Sequence, residues 1–150
     1  MNSFSYRKFF GGDTLLVIVP HQDDEINTAG ATIVGAIEEG VHVHIAYMTN
    51  GDWDYEVPLR NCEALHAANY LGIPSCNVHF LNYPDCGSAD MSVYEQCYKD
   101  NRGINDSSIY YRGRHVSWHT LIEDIKKLIT VVNPNCIIST GFDSHRDHRQ

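Results

Sequence analysis

Three ionisable side chains, His21, Asp23 and Asp24, stand together directly after the apolar run Leu15-Leu16-Val17-Ile18-Val19, in the segment Pro20-His21-Gln22-Asp23-Asp24-Glu25. Crowded carboxylates repel one another, and a divalent cation is the simplest compensation. His21 and Asp24 are three apart, so on a turn or in the first turn of a helix both can face one point. One nitrogen and one oxygen donor suit zinc, which takes His and Asp at about 2.0–2.2 Å. Asp23 is then left beside the metal with no need to bind it.

A second polar cluster, Asp143-Ser144-His145-Arg146-Asp147-His148, follows the apolar stretch Cys136–Ser139. His148 or His145 would supply a third ligand. Two His and one carboxylate leave positions open for water and substrate, as a catalytic site requires and a closed structural site does not. Either cluster alone has a plainer account. Acidic residues after a strand suit a helix N-terminus, and the chain has nine His, most with no evident role. Two such clusters, each at the end of a strand, favour the site.

The elements must bring the two clusters together. Leu15–Val19 reads as a strand buried on both faces, as in a parallel sheet. Residues from about Ile26 to Glu39 carry Ala, Ile and Val at helical spacing, with Gly40 as the stop. Val41 to Met48 alternates as a second strand. Pro58 to Leu71 reads as a helix whose buried face would be Leu59, Cys62, Leu65 and Ala68 or Asn69. Val78–Leu81 is a third strand, Ser117–Val132 an amphipathic helix with a Ser or Thr N-cap, and Cys136–Ser139 a fourth strand. Strand and helix alternate, which predicts βαβ units and an α/β fold: a Rossmann-like parallel sheet with helices on both faces. Ligands bind outside the carboxyl ends of such strands, where both clusters fall. The segment from about Pro84 to Arg114 has no clear period and reads as a long loop of the functional kind. Its tyrosines Tyr94, Tyr98, Tyr110 and Tyr111 would either stack on a ligand or pack the loop down.

The bulk numbers bound the function. A chain of 150 residues makes one domain, residues 1–150. A formal net charge of −8 argues against a nucleic-acid surface. Five cysteines, none in a C-x-x-C pair, argue against a disulfide framework or a Cys-based zinc finger. Cys62 and Cys136 are expected as buried thiols, and a reducing, cytoplasmic setting is expected. Arg7 and Lys8 precede an apolar run too short for a secretory signal, and no segment approaches the ~20 apolar residues of a membrane span. The glycine fingerprint of a dinucleotide binder is missing after the first strand.

The motifs resemble those of the PIG-L/LmbE family of zinc-dependent N-acetylglucosaminyl deacetylases. Pro20-His21-Gln22-Asp23-Asp24-Glu25 is similar to the family's H-P-D-D-E-type motif, and His145-Arg146-Asp147-His148 to its H-x-D-H motif. Between them, Thr49-Asn50-Gly51-Asp52 resembles a T-x-G segment. Arg60 and Glu63 resemble an R-x-x-E helix, and Leu81-Asn82-Tyr83-Pro84-Asp85 a segment with a pocket aspartate. The resemblance runs from about residue 14 to 149. It implies that His21, Asp24 and His148 bind zinc, that Asp23 is the general base, and that His145 stabilises the oxyanion or assists protonation. It further implies that Asp147 orients a histidine and that Arg60 and Asp85 contact an acetylated amino sugar. Gln22 departs from the family's frequent Pro. The resemblance also implies a chain truncated at the C-terminus, since similar proteins continue well past the second motif.

The implied reaction is zinc-assisted hydrolysis of an N-acetyl group to acetate and an amine, with iron(II) or another divalent ion as the alternative metal. Two other readings compete: an amide hydrolase of the same fold acting on another acyl group, and a metal- or sugar-binding module without catalysis.

Overall fold

Five consecutive apolar residues leave no face for solvent. In the computed structural model, which describes residues 4–52, 55–85, 108–141 and 148, Leu15 to Val19 are all buried. They form the greater part of β1 (Thr14–Val19). β1 lies inside a four-stranded parallel sheet with β2 (His42–Thr49), β3 (Val78–Tyr83) and β6 (Cys136–Ser139), in the order β3-β2-β1-β6. The side chains of β1 divide between two cores. Leu15, Val17 and Val19 face Val43, Ile45 and Tyr47 of β2 and the helices α2 (Asp24–Glu38) and α3 (Val57–Tyr70). Leu16 and Ile18, with Ala46, meet Leu128 of the helix Trp118–Val132, here α4. Helices therefore cover both faces, as the alternation of strand and helix predicts.

The helix ends follow local chemistry. Ser117 caps α4 through a reciprocal pair with Thr120: the Thr120 amide donates to Ser117 Oγ at 3.1 Å, and the Ser117 amide to Thr120 Oγ1 at 2.8 Å. Asn133, in the left-handed region, ends the helix before Pro134. Gly40, at φ 73°, closes α2, and the next amide, Val41, donates back to Ala36 O at 2.9 Å.

Two sequence expectations need correction, and one element was not foreseen. Cys62 and Leu59 are exposed, because α3 turns Val57, Ala64 and Ala68 inward, and Cys136, at the start of β6, is only partly buried. Ala68, one of the residues expected on the inner face, is buried there, and Leu65 packs partly buried against the same core. A short N-terminal helix, α1 (Tyr6–Phe10), capped by Ser5, packs Phe10 into the larger core. The end of the expected long loop is an antiparallel hairpin, β4 (Ser108–Tyr111) and β5 (Arg114–Ser117). Its two-residue turn, Arg112-Gly113, has φ of 45° and 89°, the positive pair a tight hairpin demands.

Candidate metal centre

The carboxyl ends of β1, β2 and β3 open on one side of the sheet, and β1 and β6 are direct parallel neighbours, with Ile18 opposite Ser139. Thr49 locks the edge: its amide and its hydroxyl both donate to Pro20 O at 2.9 Å. The Asn50 amide donates to Tyr83 O at 2.9 Å. The segment after β1 is thus held to the ends of the next two strands before its side chains are placed.

His21, Asp24 and His148 meet there. Each offers one donor atom, and the three atoms lie within 4.8 Å of one another. Asp24 Oδ2 is 3.1 Å from His21 Nδ1 and 3.2 Å from His148 Nε2, and it also accepts from the His21 amide at 2.9 Å. The two imidazoles stand 5.6 Å apart, centre to centre. Their side chains are 12% and 13% exposed and that of Asp24 11%, close enough to solvent for an ion to enter. Two nitrogens and one carboxylate oxygen at this spacing fit a divalent cation of the zinc type. The sequence spacing leaves His145 and His148 as alternative third donors; His148 is the one placed in the described cluster. His145 and Asp147 lie outside the described residues, as do Cys86, Cys97, Tyr94 and Tyr98.

Asp24 is the first residue of α2, and the positive end of the helix favours its charge. Burial opposes ionisation, but hydrogen bonds from the His21 amide and ring and the charges of both histidines outweigh it and hold the carboxyl below the ordinary range. Glu25 shows the reverse balance: burial dominates and pushes its carboxyl up, with the Asp23 charge adding to the effect. Tyr47, buried beneath the site, is also raised, first by burial and then by the Glu25 charge.

Asp23 is different in kind. Its side chain is 65% exposed. Its backbone sits at φ 139° and ψ −21°, where L-residues are rarely found. Such a conformation costs roughly 1–3 kcal/mol and persists only where the surroundings over-determine it. Arg60 Nη2 lies 3.7 Å from Asp23 Oδ1 and donates to Gln22 O at 2.5 Å. Gln22, where the resembling motif often has Pro, is buried and donates through its carboxamide to Asn61 on α3 at 3.0 Å.

Asp85 lies two residues after β3, and its carboxylate is 3.2 Å from His21 Nε2, on the ring edge away from Asp24. Its amide donates to Asp52 Oδ1 at 3.2 Å. The sequence pointed to Asp85 only as a sugar contact and assigned no role to Glu25 or Asp52. Glu25 was visible as part of the acidic run; the approach of Asp85 to His21 has no local sequence signal.

The PIG-L family model, described as GlcNAc-PI de-N-acetylase, matches residues 16–150. Among solved structures, the chain is similar to the N,N'-diacetylchitobiose deacetylase from Pyrococcus horikoshii in complex with an inhibitor: TM-score 0.65, 23% identity, 96% of this chain against 48% of that one. It is similar to a deacetylase of teicoplanin biosynthesis in complex with teicoplanin, with TM-score 0.64, 17% identity and coverage of 90% against 61%. A zinc-inhibited form of teicoplanin deacetylase gives 0.58, 19%, and 90% against 59%. It also resembles the 4-carboxy-2-hydroxymuconate hydratase GalB of Pseudomonas putida KT2440, with TM-score 0.56, 20% identity and coverage of 91% against 51%. At these identities the likeness is one of fold, and the fold carries more than one chemistry. The chain spans 48–61% of the length of these structures. No curated protein matches it. Among the described residues, no helix is long and apolar enough to cross a membrane.

Proposed function

The chain belongs to the PIG-L family, and from that membership we propose that it carries the metal-binding part of an N-deacetylase, one that hydrolyses the N-acetyl group of an N-acetylglucosamine-type sugar or conjugate to acetate and a free amine. The observation that carries the reading is the convergence of His21, Asp24 and His148 at the open end of the sheet, with the exposed Asp23 carboxylate beside them. A binding module has no evident use for a carboxylate held in a strained backbone next to a ligand set.

On this reading zinc is held by His21, Asp24 and His148, and when bound it supplies Lewis-acid polarisation of the amide and makes water a stronger nucleophile near neutral pH. Asp23 takes a proton from the attacking water as its oxygen bonds to the acetyl carbon, and returns it to the nitrogen as the C–N bond breaks. Arg60 lies against Asp23, with Nη2 3.7 Å from Oδ1. Asp85, buried behind His21, orients that ligand. His145 and Asp147 keep the roles implied by the family motif, as oxyanion donor and orienting partner. The cytoplasmic setting read from the cysteines belongs to the same proposal.

The test is metal content per chain after exhaustive dialysis, for the wild type beside His21→Ala, followed by acetate release from N-acetylglucosamine conjugates. About one zinc per chain, absent from the variant, with acetate released by the wild type, is the expected result. Retained zinc without acetate release from any acetylated sugar would replace the deacetylase by the binding-module reading.

A further inference from the structure

Asp23 is held by contacts to the peptide unit that precedes it. A peptide unit is a rigid plate, and φ of Asp23 sets how the Gln22–Asp23 plate stands against the Asp23 Cα. The carbonyl at one end of this plate, Gln22 O, accepts from Arg60 Nη2 at 2.5 Å. The amide at the other end, Asp23 N, donates to Glu25 Oε2 at 3.0 Å. The two grips come from different elements, Arg60 from the first turn of α3 and Glu25 from the first turn of α2. Neither is a loose surface contact: Glu25 is 2% exposed and the Arg60 side chain 19%.

The surroundings fit a grip made to close tolerance. Arg60 Nη2 also stands 3.7 Å from Asp23 Oδ1, so one nitrogen reaches both the backbone before Asp23 and its side chain. The turn after β2 closes over this contact at Gly51, where an added Cβ would lie 2.6 Å from Gln22 Oε1 and 3.2 Å from Arg60 Nε. The Tyr55 ring lies 5.9 Å from the guanidinium carbon.

We propose that Arg60 and Glu25 are positioning residues that grip the Gln22–Asp23 peptide from its two ends and so maintain the backbone of Asp23 that directs its carboxylate to the site. That this serves a proton transfer rests on the deacetylase reading above; the grip itself does not. It assigns Arg60 differently from the sugar contact implied by the family motif.

Amide hydrogen exchange of the isotopically labelled 150-residue chain reads the grip directly. The Asp23 amide is slow in the wild type and exchanges about tenfold faster or more in Arg60→Met and in Glu25→Leu. It stays slow in Glu25→Gln, whose carboxamide oxygen accepts the same hydrogen bond. Zinc content after dialysis stays at the wild-type level in Arg60→Met and Glu25→Gln. In acetate release, Arg60→Met lowers kcat and leaves KM within about twofold, the pattern of an interaction made only in the transition state. Unchanged Asp23 exchange in Arg60→Met would overturn the proposal, as would a raised KM with kcat intact. If the exchange pattern holds while the wild type releases no acetate, the grip stands and the deacetylase reading falls.

Discussion

His21 has a carboxylate at each ring nitrogen: Asp24 Oδ2 is 3.1 Å from Nδ1 and Asp85 Oδ2 is 3.2 Å from Nε2. A neutral imidazole carries one N–H. Without an ion the Nδ1 proton is shared with Asp24; with an ion bound, Nε2–H would donate to Asp85 and the Nδ1 lone pair would face the ion instead. Asp85→Asn removes the charge that fixes this tautomer while keeping the shape. It is expected to weaken zinc binding by about 10–100-fold, measured by competition with a coloured chelator. Unchanged zinc affinity with a raised KM would return Asp85 to the role of sugar contact.

Asp23→Asn keeps size and loses basicity. Turnover should fall by about 10²–10⁴-fold, while zinc content after dialysis stays that of the wild type, because Asp23 is outside the ligand cluster. Full activity in this variant would remove Asp23 from the mechanism.

Removing the ion should also be visible in stability. A ligand that binds only the folded chain stabilises it by about 2.7 kcal/mol when present at 100 times its Kd. Zinc is therefore expected to raise the thermal midpoint of the wild type and EDTA to lower it. His148→Ala should respond weakly to both. A wild-type midpoint indifferent to zinc and to EDTA would mean that the three side chains hold no ion.

Gly51 and Gly113 both lie at positive φ, 63° and 89°. An added Cβ at Gly113 meets nothing within 4 Å, whereas at Gly51 it meets Gln22 and Arg60. Gly113→Ala should cost only the backbone term, roughly 1–2 kcal/mol. Gly51→Ala should cost at least that in urea unfolding and should in addition lower kcat, by displacing the contacts around Asp23. Equal effects of the two on kcat would show that the crowding at Gly51 is without consequence.

Away from the site, His44 Nδ1 and His79 Nε2 on adjacent strands lie 3.1 Å apart with stacked rings. Burial lowers the pKa of both below the ordinary 6.5, and for His44 the neighbouring His79 and His42 add to this. The folded state therefore binds protons less readily than the unfolded one. The stability linked to these groups is full above about pH 6.5 and declines as pH falls through the window below it. The urea midpoint should drop between pH 7.5 and 5.5, and drop less in His79→Gln. An equal drop in the variant would exclude the pair as the cause.

Much of the architecture was legible in the chain itself. The apolar run of β1, the alternation of β2, the period of α4 and the turn at Asn133-Pro134 are local patterns, and right-handed βαβ crossovers leave few ways to assemble them. The family resemblance had already joined His21, Asp24 and His148, because a motif preserves spacing within each cluster. Where spacing gave out, so did the reading. Of the expected inner face of α3, Ala68 is buried and Leu65 partly so, but Leu59 and Cys62 are exposed, and Val57 and Ala64 take the inner positions. The Arg112-Gly113 hairpin was hidden because a four-residue strand has too few alternations to show a period.

What only tertiary structure decided is which groups surround the ligands. Asp85 reaches the back of His21, and Arg60 reaches the peptide before Asp23, because β3 ends, and α2 and α3 begin, beside the end of β1. Sequence patterns report the periodicity of one element at a time; a distance between ends of different elements is set by sheet order, register and helix packing, and appears only when the whole core has assembled.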